Sequence, residues 1–154
     1  METNRILSIA LAVFLFIGIA SMANAQQEEK KSVNVDNFVR AESDTMIRAN
    51  MKMGGLTVGK LTHSREPITP GKDAVIRSNQ DTLYSAVVLD LSKPVSLTLP
   101  EIGERYMSAH VINQDHYSFV ETKPGDYRLT EESVGSRFAI VWIRTFADVN
   151  DPGG

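Results

Sequence analysis

The sequence contains no cysteine among its 154 residues. That excludes disulfides, thiolate metal sites and a cysteine nucleophile. It leaves the compartment open, since many exported proteins manage without disulfides. Positive charge is not in excess either. Sixteen Lys and Arg stand against 19 Asp and Glu, for a net charge of −3. Nucleic acid is therefore not an expected partner, because binding its backbone needs clustered Lys and Arg. No G-x-S-x-G elbow, Walker loop or G-x-G-x-x-G occurs, and no internal repeat or coiled-coil heptad is visible.

What is present begins with a leader. Arg5 gives a short basic start, offset by Glu2, and residues 6–20 are apolar without a charge. Ala23-Asn24-Ala25 then reads as an A-x-A cleavage site. This is the layout of a secretory signal peptide over residues 1–25, cut before Gln26. The apolar run is about 15 residues, short of the roughly 20 that a spanning helix needs. No cysteine follows the site, so a lipoprotein is excluded. The expected location is the periplasm or the outside of a bacterial cell, with no membrane contact after cleavage. Residues 26–32 read as a loose polar leader and 33–152 as a single domain, large enough for one core.

One helix is expected, over residues 36–53. Asp36 or Asn37 caps its start. Phe38, Ala41, Met46, Ala49 and Met53 recur at helical spacing, and Gly54-Gly55 ends it. After Gly55 the character turns to β. A short strand is expected over 56–61 and a Pro/Gly loop over 63–73. Further strands are expected over 74–77, 83–91, 95–99, 106–113, 127–130 and 137–146. The last is apolar on both faces at its centre, which marks a central strand. Short strands with Gly/Pro turns make the fold mainly β, a sandwich or barrel with an N-terminal helix. The alternative is an α+β fold.

Two polar clusters compete for function. The first is Arg77-Ser78-Asn79-Gln80-Asp81-Thr82-Leu83-Tyr84-Ser85, which runs straight into an apolar strand. In a strand Arg77, Asn79 and Asp81 share a face. Arg77 is suited to a ligand carboxylate or phosphate, with Asp81 orienting it and Asn79 and Tyr84 adding hydrogen bonds. Alternatively these groups only bond to one another and fix a strand junction. The second cluster is Asp115-His116-Tyr117, in a turn after a strand. Aspartate can hold an imidazole in one tautomer, so His116 is a candidate general base oriented by Asp115, with Tyr117 beside them for a ligand. Alternatively it is a turn aspartate beside a partly buried histidine. His63, His110 and His116 have no zinc-type spacing. Asp148-Val149-Asn150-Asp151-Pro152-Gly153 fails as a calcium loop at Pro152. No metal and no cofactor are expected.

Several of these stretches together resemble a known family, domain of unknown function 1254. They are Val33-Asn34-Val35-Asp36-Asn37-Phe38-Val39-Arg40-Ala41-Glu42, Asn79-Gln80-Asp81-Thr82-Leu83-Tyr84-Ser85, Asp115-His116-Tyr117, Gly125-Asp126-Tyr127-Arg128-Leu129-Thr130 and Val141-Trp142-Ile143-Arg144-Thr145. The resemblance covers residues 33–152. It implies an immunoglobulin-like β-sandwich with helical additions, mostly in exported bacterial proteins, and no established reaction. Family members often carry arginine where this sequence has Gln80. The family module is usually followed by a second β-rich domain, so the resemblance also implies either a truncated gene product or a subunit that finds its partner domain in trans. Three functions follow. The first is an exported binding module for a small anionic or polar ligand. The second is a structural or interaction module, or the truncated half of a two-domain protein. The third is a hydrolase or lyase using Asp115 and His116.

Overall fold

Alternation along the strands decides the architecture, because the central strands of the main sheet bury both of their faces against different layers. The computed structural model describes residues 32–69 and 79–148. The expected signal peptide, most of the leader, the expected strand over 74–77 and Arg77 itself lie outside the described residues. The elements in chain order are α1 (Phe38–Gly54), β1 (Thr62–Ser64), β2 (Thr82–Asp90), β3 (Val95–Leu99), β4 (Met107–Asn113), β5 (Ser118–Glu121), β6 (Gly125–Leu129), α2 (Glu131–Val134) and β7 (Phe138–Phe146).

The strands form a five-stranded sheet in the order β1-β2-β7-β4-β5 and a two-stranded sheet of β3 and β6. Every pairing between them is antiparallel. Odd-numbered residues of the large sheet (Val87, Leu89, Ala109, Val111, Ala139, Val141 and Ile143) pack with Leu99 and Leu129 of the small one. That is the core of a sandwich of unequal sheets. Even-numbered residues (Ala86, Val88 and Ile140, with Ile112 and Trp142 beside them) face the other way and pack against Ile47, Met51 and Leu56. So α1 covers the outer face of the large sheet. The mainly β expectation with an N-terminal helix holds, and β7 is central as its two-faced apolar pattern requires.

Four local expectations are corrected. The first concerns the cap of α1. It begins one residue after Asn37, but the Asn37 side-chain oxygen turns back to accept from the backbone N–H of Asn34 instead of capping the helix. The second is the strand over 56–61, which is replaced by two isolated bridges, Thr57 to Lys60 and Val58 to Val88. Strand β1 follows it and runs into the stretch expected to be loop. Its three residues pair with Tyr84, Ser85 and Ala86. The third correction adds β5 and α2, which had no counterpart in the sequence reading. Gly135 closes α2 at φ 90°, and a Cβ there would stand 3.0 Å from the Asn113 amide, so the position favours glycine twice over. The fourth concerns the expected apolar stripe of α1, which does not face the sheet. Phe38, Met46 and Met53 are 56%, 47% and 82% exposed, whereas Ser43 and Ile47 are buried.

Candidate functional site

The Asp115-His116-Tyr117 stretch is the tip of the β4–β5 hairpin, and Asn113 shapes it. The Asn113 side-chain oxygen accepts from the backbone N–H of Asp115 and of Tyr117, each at 2.9 Å. Its amide donates to the Val134 carbonyl at 2.8 Å, which ties the turn to α2. The turn forces His116 to φ 65°, the one left-handed non-glycine among the described residues. Three consecutive turn residues then meet three positions of α1. Arg40 donates to both carboxylate oxygens of Asp115, through Nε at 2.7 Å and through Nη2. The Ser43 hydroxyl and His116 Nδ1 lie 3.3 Å apart. The Gln114 amide donates to Asp44 at 2.7 Å. Positions 40, 43 and 44 share one face of a helix, so the hairpin tip is a clamp on α1.

This arrangement replaces the expected acid–base pairing. Both Asp115 oxygens are held by Arg40, and that bond keeps the carboxylate below its ordinary pKa. The partner of the His116 ring is Ser43, on another element. Tyr117 contributes its backbone to the turn while its side chain is 76% exposed.

The first cluster behaves differently. Asn79, Gln80 and Asp81 precede β2 and are exposed, so the expected shared strand face does not form. The Asp81 carboxylate accepts from the Thr82 hydroxyl at 3.0 Å. Asn79 donates to the Tyr84 hydroxyl at 3.0 Å. Of the expected ligand residues, then, Asn79 and Tyr84 are brought together, Asp81 binds its neighbour, and Tyr117 lies at the tip of the clamp. Tyr84 shares the outer, helix-side face of the large sheet with Ala86 and Val88.

That face holds a cation which sequence reasoning passed over. Arg144, on the central strand, lies directly opposite Tyr84 on one side and Ser108 on the other. It is exposed and has no carboxylate partner among the described residues. His110, one pair along, stands opposite Trp142. Its pKa is lowered, first by burial and second by the positive charge of Arg144. Two basic side chains, a phenol and a carboxamide thus share one patch, and neither base is ion-paired among the described residues. The available signal was the lone arginine ending the run Ile140-Val141-Trp142-Ile143, but the pairing that sets it beside Tyr84 spans 60 residues.

The three histidines are dispersed. His63 Nδ1 is 2.8 Å from the Ser85 hydroxyl across the β1–β2 pair, on the opposite face of the sheet from His110. No cluster of three His, Asp or Glu able to hold a metal occurs among the described residues.

Residues 58–151 match the family described as protein of unknown function, DUF1254. The chain belongs to DUF1254. Its fold is similar to that in the crystal structure of the VPA0106 protein from Vibrio parahaemolyticus, with a TM-score of 0.51 and 18% identity. The similarity covers 74% of this chain and 31% of that one, so the chain spans about a third of the length of the Vibrio protein. No curated protein matches the chain. The DUF1254 match takes in every strand, the Asn79–Tyr84 pair, Arg144 and the hairpin tip. It starts at Val58, after α1, and so is narrower than the resemblance read from residue 33. The clamp therefore joins a hairpin inside the DUF1254 match to a helix outside it.

Proposed function

We propose that the chain is an exported module that binds a small anionic or polar ligand on the helix-side face of its large sheet, at Arg144, Tyr84, Asn79 and His110. The observation that carries this reading is Arg144, exposed and without a carboxylate partner among the described residues, set between Tyr84 and Ser108. A guanidinium offers a planar fork of donors that matches a carboxylate or phosphate. Tyr84 and Asn79, already bonded to each other, add a hydroxyl and an amide beside it. The neighbouring His110 strengthens the attraction for an anion whenever it takes up a proton. Export rests on the uncharged apolar run over residues 6–20 and on Ala23-Asn24-Ala25. Among the described residues no helix is long and apolar enough to cross a membrane.

The test expresses the chain in a bacterial host with its own N-terminus, recovers it from the periplasm and screens it by thermal shift. The probes are phosphate, small polar carboxylates without an alkyl chain, and sugars. The recovered protein should begin at Gln26. A ligand in hundredfold excess over its Kd should raise stability by about 2.7 kcal/mol. Arg144→Gln should abolish the shift and Tyr84→Phe should weaken it. Retention in the cytoplasm with residues 1–25 attached would remove the export reading. An unchanged shift in a folded Arg144→Gln protein would remove the binding site.

A further inference from the structure

The opposite face of the large sheet carries a separate feature. Where the two-stranded sheet stops short, a groove of about 540 Å³ opens between β1, β2, β7 and the end of β3. That volume lies within the range of small-molecule pockets, roughly 300–1,000 Å³. Its walls include Leu83, Leu99, Met107 and Ile143, of which Leu99 and Ile143 are otherwise buried core residues. They are neighbours because the register sets Leu83 and Met107 on either side of Thr145 and Ser85 opposite Ile143. The polar groups come from the β1 side. There the His63–Ser85 hydrogen bond closes the edge pair, and Arg65 follows β1, exposed and without a carboxylate partner among the described residues.

We propose that this groove binds a small amphipathic carboxylate. The apolar body lies along Leu83, Leu99, Met107 and Ile143, and the carboxylate is taken by Arg65 with a hydrogen bond from the His63–Ser85 pair. The occupant follows from the distribution of groups. An apolar trough alone favours any oily molecule, but one uncompensated cation beside two hydrogen-bonding side chains selects an anionic head. The site is independent of the Arg144 patch, because the two lie on opposite faces of the sheet.

Isothermal titration of the protein with butyrate, hexanoate and octanoate tests this. Affinity should rise by about fourfold per CH₂ buried, at the usual transfer free energy of a methylene, until the groove is filled. Octanamide, which keeps the chain and loses the charge, should bind at least about tenfold more weakly than octanoate. Arg65→Ala, a change at an exposed position, should give the same loss. Arg144→Gln should leave octanoate binding unchanged, which separates this site from the one proposed above. Four outcomes overturn the proposal: no saturable binding at any chain length, equal binding of octanoate and octanamide, full binding in Arg65→Ala, or loss in Arg144→Gln.

Discussion

His110 is half-buried on β4, with Arg144 on the neighbouring strand. Of the groups on the same sheet face, Val120 opposite His110 on β5 carries no charge. Burial and Arg144 both oppose protonation, so the folded pKa lies below the ordinary value near 6.5. Below that ordinary value the unfolded chain therefore binds more protons than the folded one. The stability tied to neutral His110 is intact above about pH 6.5 and is lost as the pH falls through the lower folded value. Urea unfolding at pH 7.5, 6.5 and 5.5 should show a smaller acid loss in His110→Gln than in the parent. Equal losses would show that another group controls this range. At this scale the sequence was partly legible. Asn79 and Tyr84 are five residues apart, and local spacing was enough to group them. Arg144 was not legible as their neighbour, because strand pairing and not chain proximity brings it there. Asp115 and His116 looked like partners because they are adjacent, yet consecutive residues in a tight turn point apart and each found a partner on α1.

Among the elements, the hairpin tip and α1 are joined by bonds of unequal worth. The Arg40–Asp115 ion pair has side chains about 40% exposed, and water screens such pairs to about 0.2–1 kcal/mol. Gln114 is buried and has three partners. Its amide donates to Asp44, its carbonyl accepts from the Phe138 N–H at 3.1 Å, and its backbone N–H donates to the Ser136 hydroxyl. Gln114→Ala strands the part-buried Phe138 N–H and removes the bond to Asp44, and should cost about 1–3 kcal/mol. Arg40→Ala should cost less than that in the same urea titration, and the reverse order would show that the ion pair is the main fastening. Strand existence was legible where alternation or a two-faced apolar run was long, as in β3, whose ends agree with the expectation, and in β7. Strand β5 was hidden because it has four residues directly after a turn. The one-turn helix α2 was hidden because it depends on the Thr130 and Ser133 capping box and not on periodicity. The orientation of α1 was misread because its most regular apolar stripe is the outward one. The clamp fixes the rotation of the helix by turning Arg40, Ser43 and Asp44 toward the hairpin.

Taken as a whole, the molecule has its most complete packing in the sandwich and its least in the helix layer. Val111 and Val141, in the core between the sheets, are almost completely enclosed. By contrast, α1 buries only Ser43 and Ile47. Amides of β7 are bonded on both sides, to β2 and to β4, and should exchange with deuterium only through global unfolding. Those of α1 should exchange through a local opening that leaves the sheet intact, measurably faster than β7 under the same native conditions. Matching protection across α1 and β7 would show that the helix opens only when the sandwich does.

The strand order has a consequence for behaviour at high concentration. Among the described residues, the outer margin of β2, next to its apolar run Ala86-Val87-Val88-Leu89, is sealed only by three-residue β1 and by the single Val58 bridge, where Gly59 donates to the Val88 carbonyl at 2.8 Å. A β-rich, uncharged stretch with a free margin is a template on which further chains can add. Residues 57–64 should therefore act as a guard rail against aggregation, and the seam they cover is the first place where crowding would turn a folded molecule into the seed of a fibre.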